Sequence, residues 1–118
     1  MRKVFHLASC STCQRIIKEL GVGDDFEFQN IKEKNISAKE LKMLADQTGS
    51  YESLFSRRAM KYRGMGLHEK TLTEKDYKKL ILEEYTFLKR PVIIINGEAF
   101  IGNTKKVVEA AKNKLNNR

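Results

Sequence analysis

The sequence lacks the long hydrophobic run that a membrane protein or a secreted precursor would show. Nowhere do roughly 18 apolar residues, the length of a membrane-spanning helix, follow one another. The basic start, Met1-Arg2-Lys3, leads into a short apolar run that His6 interrupts, which does not fit a signal peptide. We therefore expect a cytoplasmic protein that does not associate with membranes.

Proline and glycine are also scarce, with one and seven residues in a chain of 118. Hydrophobic residues make up 41% and charged residues 32%, so a disordered or fibrous chain is excluded and an ordinary globular core is expected. No repeat, low-complexity segment or linker divides the chain. We predict a single domain that spans residues 1–118.

Acidic residues are outnumbered, 15 against 23 lysines and arginines, which gives a net charge of +8. An excess of this size raises the question of a nucleic-acid partner. The basic residues are nevertheless interleaved with acidic ones, and no recognisable DNA-reading motif accompanies them. Solvated helix faces are therefore the favoured interpretation, and direct nucleic-acid binding is not expected.

The first third of the sequence predicts a β-α-β unit. Residues 3–7 form a short apolar strand, and a helix that begins near Cys13 ends at Gly21, a residue typical of helix C-caps. Residues 26–29 alternate apolar and polar side chains, as in a second strand. The small polar loop of residues 9–12 would supply hydroxyl groups that cap the helix.

The rest of the sequence predicts helices and then a β-hairpin followed by a helix. A capping box begins a helix at Ser37, short helices follow over residues 51–67, and another helix begins at Thr73. The strongest hairpin signal is Asn96-Gly97 between two apolar runs. This order predicts an α/β fold with a mixed sheet of about four strands, in which residues from about 37–87 form a helical insertion.

The two cysteines are spaced as Cys10-Ser11-Thr12-Cys13, between the first strand and the helix. Unpaired N–H groups and the positive end of the helix dipole at this point stabilise a thiolate. A lowered pKa would make Cys10 the nucleophile, and Cys13, one helical turn further on, could attack the mixed disulfide and resolve it. Because cytosolic thiols stay reduced, the spacing favours redox chemistry over a permanent disulfide or two inert thiols.

Zinc binding is the other common use of such a cysteine pair. A closed zinc site needs four ligands, but only His6 and His68 remain to complete it, and His68 has no ligand-like spacing to either cysteine. We therefore expect no metal. His6 precedes Cys10 by four residues, so it either helps to orient and ionise the thiol or simply packs within its strand.

Three arginines are candidates for anion binding. Arg57 and Arg58 lie in a basic cluster of the middle segment, and Arg90 directly precedes the only proline, Pro91. A guanidinium binds oxyanion oxygens through two parallel hydrogen bonds, so these residues would suit an oxyanion substrate. Most surface arginines have no such role, but Arg90 stands out because the proline after it opens a strand.

These motifs resemble the ArsC/Spx family of thioredoxin-fold, arsenate reductase-like proteins over nearly the whole chain. The resemblance rests on the cysteine motif after the first strand, on residues 54–63 (LFSRRAMKYR) and on residues 88–94 (LKRPVII), which occur in the expected order. It implies a thioredoxin-like (glutaredoxin-like), three-layer fold, a cis proline at Pro91 that faces the cysteines, and an anion-binding role for Arg90.

The resemblance also implies roles for the site residues, because Cys10 matches the family nucleophile, His6 matches a histidine, and an arginine falls near Arg57 or Arg58. The expected catalytic residues are Cys10, Cys13, Arg58 and Arg90. The expected substrate-binding residues are His6, Ser9, Ser11, Thr12, Arg57 and Pro91. No bound cofactor is expected, and an external thiol donor, namely glutathione, glutaredoxin or thioredoxin, would serve a reaction on a small oxyanion or on a protein or low-molecular-weight disulfide.

Two departures from the family pattern weaken arsenate as the physiological substrate. A third arginine that arsenate reductases place on or just after the last strand corresponds to Asn103 or its neighbours, and the asparagine after the matching histidine is Leu7 here. The intact CxxC motif and the Ser-x-Arg pattern of the middle segment resemble the Spx branch, which senses oxidation and binds RNA polymerase. The alternative to an arsenate reductase-like enzyme is therefore a redox-sensing regulator that binds RNA polymerase or another redox partner protein.

Overall fold

The structure, a computed structural model, describes residues 1–116 and forms two compact units. The sheet unit comprises residues 1–34 and the segment from Arg90 onwards, and the helical unit comprises residues 35–89. Within the described residues, no helix is long and apolar enough to cross a membrane. That residues 1–118 form one domain, with an insertion from about residue 37 to about residue 87, stays a prediction.

The elements follow the predicted order of β-α-β, helical stretch and β-β-α. In chain order, the strands and helices are β1 (Lys3–His6), α1 (Ser11–Leu20), β2 (Glu27–Asn30), α2 (Ala38–Thr48), α3 (Met60–Gly64), α4 (Glu74–Glu83), β3 (Val92–Ile95), β4 (Glu98–Ile101) and α5 (Lys105–Asn116). The helical unit also contains 3-10 turns at Glu52–Leu54, Leu67–Glu69 and Tyr85–Phe87.

One sheet of four strands, in the order β2-β1-β3-β4, unites the two ends of the chain. Strand β1 runs parallel to β2 and antiparallel to β3, and β3 pairs antiparallel with β4. The carboxyl ends of β1 and β2 therefore lie at the same edge of the sheet. This mixed sheet confirms the expected α/β, thioredoxin-like fold.

Alternate residues of the two central strands face helices α1 and α5. On that face lies a hydrophobic cluster whose buried members are Val4, Ile16, Leu20, Phe26, Ile93, Ile95, Ala111 and Leu115. Full burial of a large aliphatic side chain contributes about 1.5–3 kcal/mol. The cluster holds α1 against β1, and it thereby positions the residues between them, which include Cys10.

The turn between β3 and β4 is Asn96-Gly97, as the sequence predicts. Both residues have positive φ angles, 50° for Asn96 and 90° for Gly97, as a type I′ turn requires. This turn matches the twist of the strands, and the pairing continues from it as far as Val92 opposite Ile101. The Asn-Gly pair therefore sets the register of β3, the strand that Arg90 and Pro91 precede.

Strand β2 departs from the pattern of residues 26–29. The strand begins at Glu27, and Phe26 is buried just before it, whereas Phe28 is 43% exposed and Gln29 is buried. Because β2 is an edge strand, its side chains have fewer neighbours than those of the central strand β1. The Gln29 side chain donates to the carbonyl of Lys34 at 2.8 Å, which satisfies the buried amide.

In the helical unit, α2 and α4 begin at capping boxes. The Ser37 hydroxyl accepts a hydrogen bond from the N–H of Glu40, and the Glu40 carboxylate accepts one from the N–H of Ser37. Thr73 and Asp76 form the same arrangement at the start of α4. These hydrogen bonds satisfy N–H groups that a helix leaves unpaired at its first turn, which confirms both predicted helix starts.

Phe55 is a central residue in the core of the helical unit. Its buried ring stacks on Phe87 with centroids 4.9 Å apart, and it contacts the rings of Tyr77 at 5.0 Å and Tyr62 at 5.9 Å. The backbone N–H of Ser56 donates to the carbonyl of Phe87 at 2.7 Å. These contacts join the two ends of the segment that carries the short helices.

Candidate functional site

Cys10 and Cys13 lie where β1 passes into α1. The cysteine loop, residues 7–10, ends at Cys10, which occupies the N-cap position of α1 and donates its N–H to the carbonyl of Leu7 at 2.9 Å. Cys10 is partly exposed, whereas Cys13, in the first turn of the helix, is fully buried. Neither thiol is in a disulfide.

Helix α1 begins at Ser11, before the predicted start near Cys13, and no hydroxyl group caps it. The expectation of capping hydroxyls from the loop was wrong, because Cys10 takes the cap position and Ser11 and Thr12 lie within the first turn. Ser9 and Ser11 are exposed, and Thr12 is half-buried. A substrate-binding role for these three residues stays a prediction that their exposure allows.

The pKa of the Cys10 thiol lies below its ordinary value. Burial pushes this pKa upward, but a backbone hydrogen bond from Cys13, a side-chain hydrogen bond from Cys13 and the guanidinium of Arg90 together favour the thiolate more strongly. The donors are the first turn of a helix and a fixed positive charge, which are the features that produce reactive cysteines. Cys10 is therefore equipped to act as a nucleophile.

The pKa of the Cys13 thiol is shifted in the opposite direction, to about 12. Burial is the largest cause, and the negative charge of the neighbouring Cys10 thiolate adds to it, while a backbone hydrogen bond from Leu7 and the charge of Arg90 oppose it. At neutral pH, Cys13 thus keeps its proton, and its S–H group can donate a hydrogen bond to the Cys10 sulfur. Of the two thiols, Cys10 is therefore the one that ionises more easily.

Arg90 and Pro91 lie at the entrance to β3. The peptide bond between them is cis, which confirms the geometry implied by the family resemblance. Pro91 is buried and its carbonyl accepts a hydrogen bond from the N–H of Gly102 at 2.9 Å. Arg90 is partly buried and hydrogen-bonds to the side chain of Cys10. The fold therefore brings Arg90 to the nucleophile from a distant part of the sequence.

His6 is the last residue of β1, and its ring lies edge-on to Phe28 with centroids 5.9 Å apart. Its Nδ1 lies 3.2 Å from the side-chain nitrogen of Gln14, which also donates to the Leu7 carbonyl at 3.1 Å. Burial lowers the pKa of His6, and the negative charge of Glu33 opposes this shift only partly. His6 belongs to the surroundings of the cysteine loop, but its proposed role in orienting or ionising Cys10 stays a prediction.

Gln14 was missed by the reasoning from sequence. Its position directly after the second cysteine places it in the first turns of α1, where a long side chain can reach back to the end of the preceding strand. That position was the only available signal, since a glutamine on a helix surface is usually solvated. The hydrogen bonds to Leu7 and His6 became evident only from the structure.

Arg57 and Arg58 belong to the helical unit and differ in their engagement. Arg57 donates to the Glu52 carboxylate at 2.7 Å and to the Tyr77 hydroxyl at 3.0 Å, and the hydrogen bond to Glu52 is the largest cause of its raised pKa. Arg58 is exposed and forms no ion pair with any other residue of 1–116. The catalytic role of Arg58 and the substrate-binding role of Arg57 stay predictions.

The donor groups needed for a metal centre are not brought together in the part of the chain that the structure describes. Among residues 1–116, no three or more histidine, cysteine, aspartate or glutamate side chains lie close enough to hold a metal ion. His68 instead lies in the helical unit, 3.7 Å from Glu69 and with its ring 6.3 Å from that of Tyr62.

The model of the ArsC family matches residues 5–111, a range that includes His6, both cysteines, Arg90 and Pro91. No curated protein matches the chain significantly. The matched range takes in most of the sheet unit and all of the helical unit, so the match concerns the whole architecture and not the cysteine motif alone.

Several solved structures have the same architecture and match nearly the whole chain. An arsenate reductase from Vibrio cholerae is 22% identical with a TM-score of 0.74, over 92% of this chain and 97% of that one. A protein from Bacteroides fragilis described as related to the ArsC family is 22% identical with a TM-score of 0.77, over 93% and 96% of the two chains. An arsenate reductase-related protein from Brucella melitensis is 18% identical with a TM-score of 0.68, over 92% of each chain. At these identities the similarities show a shared fold.

Proposed function

Because the chain belongs to the ArsC family, we propose that it is a thiol-dependent oxidoreductase in which Cys10 is the nucleophile and Cys13 the resolving cysteine. The observation that carries the proposal is the placement of a partly exposed Cys10 at the N-cap of α1, hydrogen-bonded to Arg90 and one helical turn before the fully buried Cys13. A partly exposed thiol with a lowered pKa beside a buried, protonated thiol is the arrangement that a two-step thiol exchange requires. Arg90 supplies a positive charge and a hydrogen bond that favour the Cys10 thiolate.

The first step on a disulfide substrate is attack by the Cys10 thiolate on one substrate sulfur. A Cys10–substrate disulfide bond forms, the substrate S–S bond breaks, and the departing sulfur leaves as a thiolate that takes a proton from water. Partial exposure of Cys10 allows a substrate to approach it, and the buried Cys13 does not compete for it. The exposed Ser9 and Ser11 and the half-buried Thr12 are next to Cys10 in the sequence or within three residues of it, and they are the groups we expect to contact the substrate.

The second step is attack by Cys13 on the Cys10 sulfur. When Cys10 is in a mixed disulfide it carries no charge, so the part of the Cys13 pKa rise that the Cys10 thiolate causes is removed. Cys13 then loses its proton more easily, a Cys10–Cys13 disulfide forms, and the second substrate thiolate leaves. Two electrons have passed to the substrate, and an external thiol such as glutathione, glutaredoxin or thioredoxin returns them.

An oxyanion such as arsenate would follow the same logic. The Cys10 thiolate forms an S–As bond and displaces a hydroxyl group of As(V), which takes a proton from solvent and leaves as water. A second thiol then loses its proton to solvent and attacks the Cys10 sulfur, so that a disulfide forms, the S–As bond breaks and its electron pair reduces arsenic to As(III). The guanidinium of Arg90, next to Cys10, would bind the oxyanion oxygens. A role of Arg58 in anion binding stays an expectation that rests on the family resemblance alone.

The test compares purified wild-type protein with the Cys10→Ser and Cys13→Ser variants. Reduction of arsenate and of a glutathione-mixed disulfide is measured with glutathione plus glutaredoxin and, separately, with thioredoxin as donors. We expect Cys10→Ser to abolish turnover and Cys13→Ser to retain only the activity that an external thiol can resolve. Absence of turnover with every substrate and donor, or full activity in Cys10→Ser, would contradict the proposal.

A redox-sensing regulator that binds RNA polymerase is the second candidate, and the surface of the helical unit favours it. Met60, at the start of α3, is 93% exposed and is flanked in sequence by Arg57, Arg58, Lys61 and Arg63. Large apolar side chains that are exposed among basic residues are typical of protein-binding surfaces. In this scheme, formation of the Cys10–Cys13 disulfide changes the affinity for the partner.

Binding to purified RNA polymerase in the reduced and oxidised states tests this second candidate. We expect a difference in affinity between the two states that disappears in Cys10→Ser, which cannot form the disulfide. The Met60→Ala substitution should weaken binding in whichever of the two redox states binds RNA polymerase more tightly. Equal affinity in both states, or no binding in either, would remove this function and leave the enzyme proposal untouched.

A further inference from the structure

We propose that Gln14 is a positioning residue, whose side-chain amide holds the backbone of Leu7 and the ring of His6 in the arrangement that keeps the cysteine loop competent. This inference rests on the proposed function, in which the Cys10 thiolate is the nucleophile. Gln14 acts on the reacting sulfur of Cys10 indirectly, through Leu7, whose backbone forms hydrogen bonds with both cysteines.

Leu7 is the residue through which Gln14 acts. The Leu7 carbonyl accepts one hydrogen bond from the N–H of Cys10 at 2.9 Å and another from the side-chain nitrogen of Gln14 at 3.1 Å. A backbone hydrogen bond from Leu7 also reaches Cys13. The position of the Leu7 backbone therefore affects both Cys10 and Cys13, and the side-chain amide of Gln14 helps to hold that backbone in place.

The chemistry of the acceptors determines how the Gln14 amide is oriented. A carbonyl oxygen can only accept, so the amide must present its NH2 group to Leu7. The same nitrogen lies 3.2 Å from His6 Nδ1, and its second hydrogen is free to be donated there. His6 Nδ1 is then an acceptor, and the neutral ring carries its proton on Nε2. Gln14 thus links the tautomer of His6 to the Leu7 carbonyl.

Protonation of His6 would break this arrangement. With a hydrogen on Nδ1, the ring would face the NH2 group of Gln14 as donor against donor, and turning the amide would set its oxygen against the Leu7 carbonyl. Burial disfavours the charged ring, and Glu33, the carboxylate that acts on His6, favours it. The network therefore holds only while His6 is neutral.

The Gln14→Ala variant tests the proposal without any assay of turnover. The thiol pKa of Cys10 is measured by thiolate absorbance and by the pH dependence of iodoacetamide alkylation, with peptide mapping to assign the modified cysteine. We expect the Cys10 pKa to rise by about half a unit, which lowers the thiolate fraction and the alkylation rate near neutral pH about threefold. Gln47→Ala, the same change on the exposed face of α2, should leave both measurements unchanged.

Two further measurements separate positioning from mere helix stabilisation. Nitrogen-15 NMR of the histidine rings should show His6 protonated on Nε2 in the wild type and a mixture of tautomers in Gln14→Ala. Gln14→Glu, which sets a carboxylate beside the ring, should raise the His6 pKa. An unchanged Cys10 pKa in Gln14→Ala overturns the proposal, whether or not stability falls. Absence of turnover together with the expected thiol titrations would refute only the enzymatic function.

Discussion

The sheet unit is closed by strands that lie far apart in the sequence, whereas the helical unit is formed by one continuous segment. In the sheet unit, Lys3 pairs with Ile94, and the hydrophobic cluster joins α1 to α5. In the helical unit, residues 35–89 contact one another around the buried ring of Phe55, and two of the helices begin at capping boxes. The first unit depends on distant contacts and the second has many local ones.

This difference shows where reactive chemistry can be assembled. The pKa of Cys10 is lowered by hydrogen bonds in the first turn of α1 and by Arg90, and only the pairing of β1 with β3 brings these two together. The helical unit satisfies polar groups within its own continuous segment, through capping boxes and ion pairs such as Lys61 with Glu84 at 2.7 Å. Substitutions in the helical unit should thus alter mainly the free energy of unfolding. Substitutions around the cysteine loop should alter mainly the pKa and reactivity of Cys10.

The largest expected loss of stability comes from Phe55→Ala. The ring is fully buried and contacts three other aromatic rings, so its removal leaves a cavity as well as lost transfer energy. We expect a decrease of about 3–5 kcal/mol in the free energy of unfolding, measured by urea denaturation. Met60→Ala, at a 93% exposed position of the same unit, should change it by less than about 0.5 kcal/mol. Similar losses in the two variants would show that the aromatic cluster is not the core.

In the sheet unit the largest chemical effect is expected from Arg90→Ala. Loss of the guanidinium removes a hydrogen bond and a positive charge from the Cys10 thiolate, so the Cys10 pKa should rise by about one unit. Alkylation of Cys10 by iodoacetamide near neutral pH should slow about tenfold. Arg90→Lys retains the charge and should give an intermediate rate.

Arg15→Ala is the matched control for this experiment. Arg15 lies on α1 with an exposed side chain, and it is not among the groups that act on Cys10. Its removal should leave the alkylation rate unchanged. Equal rates in Arg90→Ala and Arg15→Ala would mean that the helix terminus alone lowers the Cys10 pKa.

The buried Cys13 should make the stability of the reduced protein depend on pH in the alkaline range. Its pKa is about 12 when folded, against an ordinary value of 9.0, so between these values the folded protein retains a proton that the unfolded chain has lost. The stabilisation is complete below pH 9.0 and is lost as pH rises towards 12. Urea unfolding at pH of about 8 and about 10.5, under reducing conditions, should show a smaller alkaline loss in Cys13→Ser than in the wild type.

The comparison with Cys13→Ser removes the contribution of all other groups, because both proteins contain them. The same pH dependence in both proteins would contradict the raised pKa. Cys10 has the opposite sign, since its lowered pKa contributes stability that is present above the unfolded pKa and is lost as pH falls through the folded one.

The smallest effect on the free energy of unfolding is expected at the helix starts, where one helix of each unit can be compared. Ser37→Ala removes the hydroxyl of the α2 capping box and should lower the free energy of unfolding by about 1 kcal/mol. Ser11→Ala, at the start of α1, removes no cap and should change it by less than about 0.5 kcal/mol. A larger loss in Ser11→Ala than in Ser37→Ala would reverse our account of which helix a hydroxyl stabilises.

Much of the fold could be predicted because its signals are local. The Ser37 box, the Asn96-Gly97 turn and the C-cap at Gly21, with a φ of 66°, each depend on residues only a few positions apart. The exposure of Phe28 could not be predicted, because the alternation of a strand does not tell which face a neighbouring helix covers. That depends on the edge position of β2 in the sheet.

The candidate site was predictable only in part. Cys10, Cys13 and Arg90 could be selected from their spacing and neighbours, whereas Gln14 carries no signal until the hydrogen bond to Leu7 is seen. The capping hydroxyls expected from residues 9–12 were wrong because the helix starts one position after Cys10. A cap position is decided by backbone angles, and several residue types of that loop could have occupied it.

The sequence by itself determined the order of the elements, the capped helices, the hairpin and the family, since these depend on residue type and on short spacings. Only the tertiary structure decided that Cys13 is fully buried while Cys10 is partly exposed, and that Arg90 reaches Cys10. The physical reason is that a thiol pKa depends on solvent exclusion and on charges brought close by folding. Neither quantity is carried by the cysteine motif alone.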